Sequence, residues 1–328
     1  MRVFVAGATG AVGRRLVPML VARGHTVTGT TSRRDGADAI RKLGAQAVVV
    51  DGLDAVGIGE AVAKAAPDAI IHEMTALSGT PDLRHFDRWF AQTNRLRTEG
   101  TDNLLAAAKA SGVARFVAQS FTGWSNERTG GWIKTEQDPL DPHPVKAQTD
   151  TLAAIRHLER AVLGAPLEGI VVRYGGLYGP GSSEALAEIL RKRMFPVIGD
   201  GAGYVSSTHV DDAAAGTLAA LERGHRGVYN IVDDEPAPSS VFIPAIAELL
   251  GAPKPLHIPG WLGRLLAGEV AVAMMTEGRG SSNAKAKREL GWQPIWPSWR
   301  DGFRYGLDTP VPLPPRAPDA DLEAISAA

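Results

Sequence analysis

Gly7, Gly10 and Gly13 recur at three-residue spacing in Gly7-Ala8-Thr9-Gly10-Ala11-Val12-Gly13, directly after the apolar run RVFVA and directly before a helical pattern. Glycine permits a tight turn and lets the backbone approach a diphosphate, and the following helix start offers unpaired amides with a partial positive charge. The strand-turn-helix frame is what makes this spacing informative. A second chemically loaded segment, Thr30-Thr31-Ser32-Arg33-Arg34, ends the next β-branched run. A hydroxyl and two guanidinium groups, with no acid before Asp35, suit a phosphate monoester. A third segment, Phe116 to Trp124, places the hydroxyls of Ser120 and Thr122 on either side of Phe121 at a strand end. Each can face a substrate oxygen or bond the local backbone.

These residues need a scaffold that brings them to one edge. The runs RVFVAG, HTVTGT, AQAVVV, DAIIHE, ARFVAQS and GIVVRY alternate with helical patterns over residues 2–174. The alternation predicts an α/β fold, a doubly wound parallel sheet of the Rossmann type with helices on both faces. Ligands of such sheets bind at the carboxyl ends of the strands, where all three segments fall. After Tyr174 the rhythm loosens, and the remainder reads as a smaller C-terminal α/β lobe over those ends, with a helix over 211–223 and a strand near 227–232. The expected division is a Rossmann domain over 1–175, a substrate lobe over 176–308 with some crossing back to the sheet, and a proline-rich tail over 309–328.

At 328 residues, with 44% hydrophobic and 22% charged content, the chain can build one large core and an appended lobe. A balance of 35 basic against 36 acidic residues supplies no broad field for nucleic acid or an anionic membrane, so a small-molecule ligand is favoured. The absence of cysteine excludes disulfides, thiolate metal sites and a cysteine nucleophile, and no metal is expected. With no secretion leader and no long apolar run, the expected location is the cytoplasm.

The glycine spacing, the long helix carrying Asn94 and Asn103, and Arg173-Tyr174-Gly175-Gly176-Leu177-Tyr178-Gly179-Pro180 together resemble the extended short-chain dehydrogenase/reductase family, which includes NAD-dependent sugar-nucleotide epimerases and dehydratases. Asp51-Gly52-Leu53-Asp54, His209-Val210-Asp211-Asp212 and Glu289-Leu290-Gly291-Trp292 extend the likeness over residues 1–306. The resemblance implies a nicotinamide dinucleotide, with Gly7, Thr9, Gly10, Ala11, Val12 and Gly13 at the diphosphate and Asp51 and Gly52 near the adenine. It also implies Glu73, Met74 and Thr75 toward the ribose and nicotinamide, with Ser120, Tyr174, Gly175, Gly176 and Leu177 along the nicotinamide. An NAD enzyme usually ends its second strand with a carboxylate, so Ser32, Arg33 and Arg34 favour NADP(H), with NAD(H) as the alternative. His209, beside Asp211 and Asp212, reads as a helix-start contact.

Members of this family usually move the carbonyl proton through a Tyr and a Lys four residues apart. No tyrosine of this sequence has a lysine four positions on. Alignment on Glu159 puts Thr151 in the tyrosine place and Ile155 in the lysine place. A threonine hydroxyl is a far weaker acid than a phenol, and isoleucine carries no charge. Hydride transfer then persists with a proton from water or a substrate phenol, or with another acid among Thr122, Tyr178, Lys134 and Lys146, or the chain binds dinucleotide as a non-catalytic regulatory protein. The leading expectation is an atypical NADPH-dependent ketoreductase for a bulky aromatic or polyketide-like carbonyl, with Ser120 and Thr122 as candidate catalytic hydroxyls. A sugar-nucleotide epimerase or dehydratase with unusual acid-base residues is the second.

Phe121, Thr122, Trp124, Tyr178 and Arg279 are the expected substrate contacts. Trp132, Met194, Phe195, Trp261, Met274 and Met275 add apolar surface that is either lining or core, with core favoured for the last four. Arg191, Lys192 and Arg193 are expected to face solvent. A homodimer through the long helices flanking the fifth strand is left open by their exposed faces, which carry Arg95, Arg97, Arg156 and Arg160.

Overall fold

The computed structural model describes residues 1–77, 79 and 82–307. Strands β1 (Arg2–Ala6), β2 (Thr26–Thr31), β3 (Gln46–Val49), β4 (Ala69–His72), β5 (Arg115–Phe121), β6 (Glu168–Tyr174) and β7 (Gly227–Ile231) form one sheet. Their order is β7-β6-β5-β4-β1-β2-β3, and every adjacent pair is parallel. The helices are α1 (Gly13–Ala22), α2 (Arg34–Lys42), α3 (Ala55–Ala65), α4 (Phe86–Arg95), α5 (Thr101–Ala110), α6 (Thr149–Gly164), α7 (Glu184–Arg191), α8 (Val210–Arg223), α9 (Ser239–Leu249), α10 (Gly260–Ala267), α11 (Glu269–Glu277), α12 (Ala284–Leu290) and α13 (Trp299–Tyr305).

Helices cover both faces of the sheet. Val3 and Val5 of β1 pack with Leu16 and Leu20 of α1 and Leu218 of α8, while Phe4 and Ala6 pack with Ile58 of α3, Leu104 of α5 and Leu158 of α6. Burial on both faces is why the inner strands read as continuous β-branched runs. The doubly wound parallel sheet expected from the sequence is therefore the fold observed.

Two features differ from expectation. The strand near residue 227, assigned to the lobe by its position after α8, is the edge of the main sheet, with Gly227 beside Ile170 and Ile231 beside Tyr174. The helical stretch after Phe86 is also interrupted, since α4 and α5 join through a π turn at Leu96–Gly100.

The lobe has its own core, in which Ile198, Phe242, Ile246, Met275, Trp299 and Phe303 meet. Short parallel strands at Gly176–Tyr178 and Ser207–His209 link it to the carboxyl edge of the sheet. The proline-rich stretch 309–328 lies outside the described residues. Among the described residues, no helix is long and apolar enough to cross a membrane, and no His, Asp and Glu cluster could hold a metal ion.

Candidate active site

The glycine turn leaves backbone open at the end of β1. Gly7 has φ +92, and a Cβ there would lie 2.7 Å from the Glu73 carbonyl carbon. One on Gly13 would lie 2.3 Å from the Gly7 oxygen, so both positions exclude a side chain. The Gly7 amide donates to Thr30 Oγ1 at 3.2 Å, and the Gly10 amide donates to the Gly7 carbonyl at 3.1 Å. Val12 holds the N-cap of α1 with its side chain buried, so no side chain caps this end, and the first turn contains no acid. An uncapped, acid-free helix start fits a diphosphate. Thr9 and Gly10 are exposed beside it, and Ala11 is half-buried.

Around the turn, Ser32, Arg33 and Arg34 are exposed at the end of β2. Arg33 forks onto Asp35, with one contact at 2.9 Å, and holds that carboxyl below its ordinary range. Arg34 has no such partner among the described residues. Asp51 is exposed and accepts from the Leu53 amide at 3.0 Å. Gly52 is buried, and a Cβ on it would lie 2.4 Å from Met74 Sδ. Thr75 and Gly176 are exposed, Leu177 is half-buried, and the buried Gly175 donates its amide to Thr208 Oγ1 at 2.9 Å.

Several expected site side chains turn into the protein. Tyr174 donates its hydroxyl to Glu73 at 2.8 Å and also contacts Thr217 of α8. Burial pushes the Glu73 carboxyl up to about 8 and the Tyr174 phenol well above its ordinary range. These two side chains fasten β4, β6 and α8 together, leaving only their backbone at the carboxyl edge. Ser120 donates to Glu159 at 2.7 Å, and Glu159 also accepts from Arg173 at 2.7 and 2.6 Å. Thr122 bonds Ser281 at 2.7 Å and accepts from Asn126 at 3.1 Å. Both candidate catalytic hydroxyls are thus buried and committed to structural partners.

Two of the other acid candidates, Tyr178 and Lys134, are buried as well. Tyr178 is buried in the lobe core, stacked on Phe303 at 4.5 Å and edge-on to His209 at 5.1 Å. Lys134 is buried and donates to the Thr129 carbonyl at 2.7 Å, while Lys146 is exposed. Arg279 is likewise buried, bonded to the carbonyls of Glu277 and Arg128 and lying 4.1 Å over Trp132. Lys134 and Arg279 thus find internal acceptors, whereas the buried Tyr178 hydroxyl has no hydrogen-bond partner among the described residues.

On α6, Thr151 and Ile155 are both fully buried. The Thr151 hydroxyl donates to Asp87 at 2.6 Å and accepts from Asn94 at 3.0 Å. Beside them runs an aromatic row: Phe121 stacks on Trp124 at 5.7 Å, Trp124 meets Phe86 edge-on at 5.0 Å, and Phe86 meets Phe90 at 4.5 Å. Phe121 and Trp124 are half-buried, consistent with a surface that can hold a flat ligand. Phe195 and Met275 belong to the lobe core and Met274 packs near Trp124. Trp261, expected as core, is 68% exposed, as is Met194, and Trp132 is also exposed. Arg191, Lys192 and Arg193 face solvent. His209 caps α8, accepting from the Asp211 amide at 3.2 Å and donating to the Gly306 carbonyl at 2.9 Å.

Sequence reasoning missed Asp87 and Thr217, whose partners are distant in the chain, and placed Arg97 on an exposed face. It is 7% exposed. A groove of about 630 Å³ between the ends of α5 and α6, lined by Lys109, Gly112, Arg160 and Pro166, leads into the amino ends of β5 and β6 and lies opposite this edge.

The model of the family described as NAD dependent epimerase/dehydratase matches residues 3–232. A Streptomyces protein named 3-diazoavenalumate denitrifying reductase is 42% identical over 314 residues, covering 92% of this chain and 99% of the relative. A Stigmatella aurantiaca protein named 4-hydroxy-2-methyl-3-oxo-4-farnesyl-3,4-dihydroquinoline-1-oxide ketoreductase is 28% identical over 332 residues, covering 94% and 95%. Among solved structures, the UDP-glucose 4-epimerase of Thermus thermophilus in complex with NAD matches with a TM-score of 0.71 at 25% identity, over 94% of this chain and 98% of that one.

Proposed function

Because the chain belongs to the NAD-dependent epimerase/dehydratase family and is an NAD(P)-dependent oxidoreductase, we propose that it reduces a small aromatic acceptor that needs no proton from a protein side chain, foremost an aromatic diazo compound. The observation that carries this reading is the state of α6. Thr151 spends its hydroxyl proton on Asp87, and Ile155 offers no charge, so neither supplies the acid of a carbonyl reduction.

When bound, the dinucleotide supplies a hydride; hydride plus an aryl diazonium, Ar–N2+, gives Ar–N=NH and then Ar–H and N2 with no net proton uptake, whereas a carbonyl needs a proton as well. A diazo acceptor therefore removes the need for the tyrosine and lysine. The 42% identical relative, named for a diazo substrate and a denitrifying reduction, supports the same choice.

In this reading Gly7, Thr9, Gly10, Ala11, Val12 and Gly13 hold the diphosphate through backbone, and Asp51 and Gly52 flank the adenine. Met74, Thr75, Gly176 and Leu177 border the nicotinamide half. Arg34, helped by Ser32 and Arg33, seats a 2′-phosphate, which makes NADP(H) the preferred form. Phe121 and Trp124 stack the arene and keep water from its face. The Stigmatella relative favours a second acceptor, an aromatic ketone that brings its own hydroxyl proton.

The test is a substrate panel. Under anaerobic conditions with NADPH, aryl diazonium salts and ortho-diazoquinones should be reduced with release of one N2 per NADPH oxidised. Loss of NADPH to simple aryl ketones, with the diazo compounds untouched, would overturn the reading.

A further inference from the structure

Arg97 is the second residue of the π turn between α4 and α5. That turn lies against Met74, which the dinucleotide reading places at the nicotinamide half, where Met74 adjoins Gly52: Met74 Sδ and Leu96 Cδ2 are 2.4 and 3.1 Å from where a Gly52 Cβ would be. Gly100 also approaches Met74, with 3.4 Å to Cε from its own Cβ position. His72, the last residue of β4, donates to the Leu96 carbonyl at 3.3 Å and accepts from the Met74 amide at 3.2 Å. The turn is therefore tied to the carboxyl end of β4 by side chain and backbone together. π turns re-aim the residues that follow them and are frequent where a helix serves a site.

The Arg97 guanidinium is almost wholly buried, yet it has no hydrogen bond or ion pair among the described residues, and its Nη1 is a buried donor without an acceptor. Phe90 lies 5.6 Å away and offers its ring face. Glu159 is the carboxylate whose charge favours the Arg97 cation, but its oxygens already take Ser120 and the Nε and Nη2 of Arg173. Burial lowers the Arg97 pKa to about 10, which leaves it charged near neutrality. A buried cation with donors to spare is costly unless an acceptor joins it.

Its position along α6 says which acceptor. Asn94, three residues before Arg97, bonds Thr151, and Arg97 itself feels Glu159, so the two contacts bracket Ile155. The charge that Ile155 lacks on α6 is thus carried by Arg97 on the π turn packed against that helix.

We propose that Arg97 is the cation of the active site, its Nη1 donating to a hydroxyl oxygen of the nicotinamide-side ribose in the bound dinucleotide. The inference rests on the dinucleotide reading of the site and not on the identity of the hydride acceptor.

Titration of NADPH and NADH against wild type, Arg97→Met and Arg97→Lys tests it, with 2′,5′-ADP and ADP as probes of the adenylate half. Arg97→Met should weaken the dinucleotides about ten- to hundredfold, the loss typical of a charged hydrogen bond, and leave the adenylates unchanged. Arg97→Lys should recover part of the loss. Because Arg97→Met removes an unpaired buried charge, its ligand-free melting temperature should equal or exceed wild type. An unchanged dinucleotide affinity overturns the proposal. So does a lowered melting temperature accompanied by parallel loss of adenylate binding, which marks a structural role. Failure of wild type to bind either dinucleotide overturns the dinucleotide reading itself.

Discussion

The hydroxyl of Thr151 lies 2.6 Å from Asp87 Oδ1, and the same carboxylate accepts the amides of Thr151 at 2.8 Å and Asp150 at 3.1 Å. Asp87 of α4 thereby caps α6, and Thr151, the residue expected at the tyrosine place, belongs to that cap. Thr151→Val should lower stability by about 1–2 kcal/mol while turnover stays within a few-fold of wild type, and Thr151→Ser should keep both. Chemical denaturation and steady-state kinetics separate the cases. A folded Thr151→Val protein with turnover lost would make the hydroxyl catalytic.

The phosphate turn makes a steric prediction. A methyl on Gly13 must displace the Gly7 carbonyl, which a Cβ would approach to 2.3 Å. Gly13→Ala should cost about 1–3 kcal/mol and weaken dinucleotide binding at least about tenfold. Calorimetric titration with NADPH that returned wild-type affinity would show that the turn does not hold the diphosphate.

Cofactor preference should divide unequally between the two arginines. Arg33 is already forked onto Asp35, whereas Arg34 is free to meet a 2′-phosphate. Arg34→Ala should reduce the NADPH over NADH preference about tenfold or more, and Arg33→Ala should do less. An equal or reversed order in paired titrations contradicts the assignment.

Glu73 predicts a pH dependence of stability. Burial raises its carboxyl to about 8, against 4.5 for the ordinary side chain. Between those values the native state holds a proton that the unfolded chain has released. Its contribution is therefore complete below about 4.5 and lost as pH rises toward 8. Asp212 and Asp233, raised by burial to about 7 and about 8, act in the same direction. Stability should decline from pH 5 to pH 8, by up to about 1.4 kcal/mol per pH unit for each such group. Glu73→Gln should flatten the decline, and an unaltered slope would refute the contribution.

The sequence made the sheet legible because strands buried on both faces must be apolar throughout, as in VFVA of β1 and GIVV of β6. It made the glycine turn legible because backbone proximity leaves no other residue type at Gly7 and Gly13. The partner of β7 was not readable, since pairing with β6 is decided by packing between segments far apart in the chain. Nor were side-chain directions at strand ends. Ser120, Thr122 and Tyr174 have the right types for chemistry, and only the folded chain aims them at Glu159, Ser281 and Glu73. Arg97 was placed on the exposed face with Arg95, but positions two apart point to opposite sides of a helix, and with Arg95 outward on Glu99 the Arg97 side chain turns inward.

The central claim is that hydride transfer here requires no protein acid. Single-turnover reduction of an aryl diazo substrate, followed with NADPH deuterated at the transferred position and separately in D2O, tests it most directly. The account predicts slowing by deuterium at the transferred position and none by D2O. A solvent isotope effect of comparable size on the same step would place a proton in flight with the hydride and contradict it.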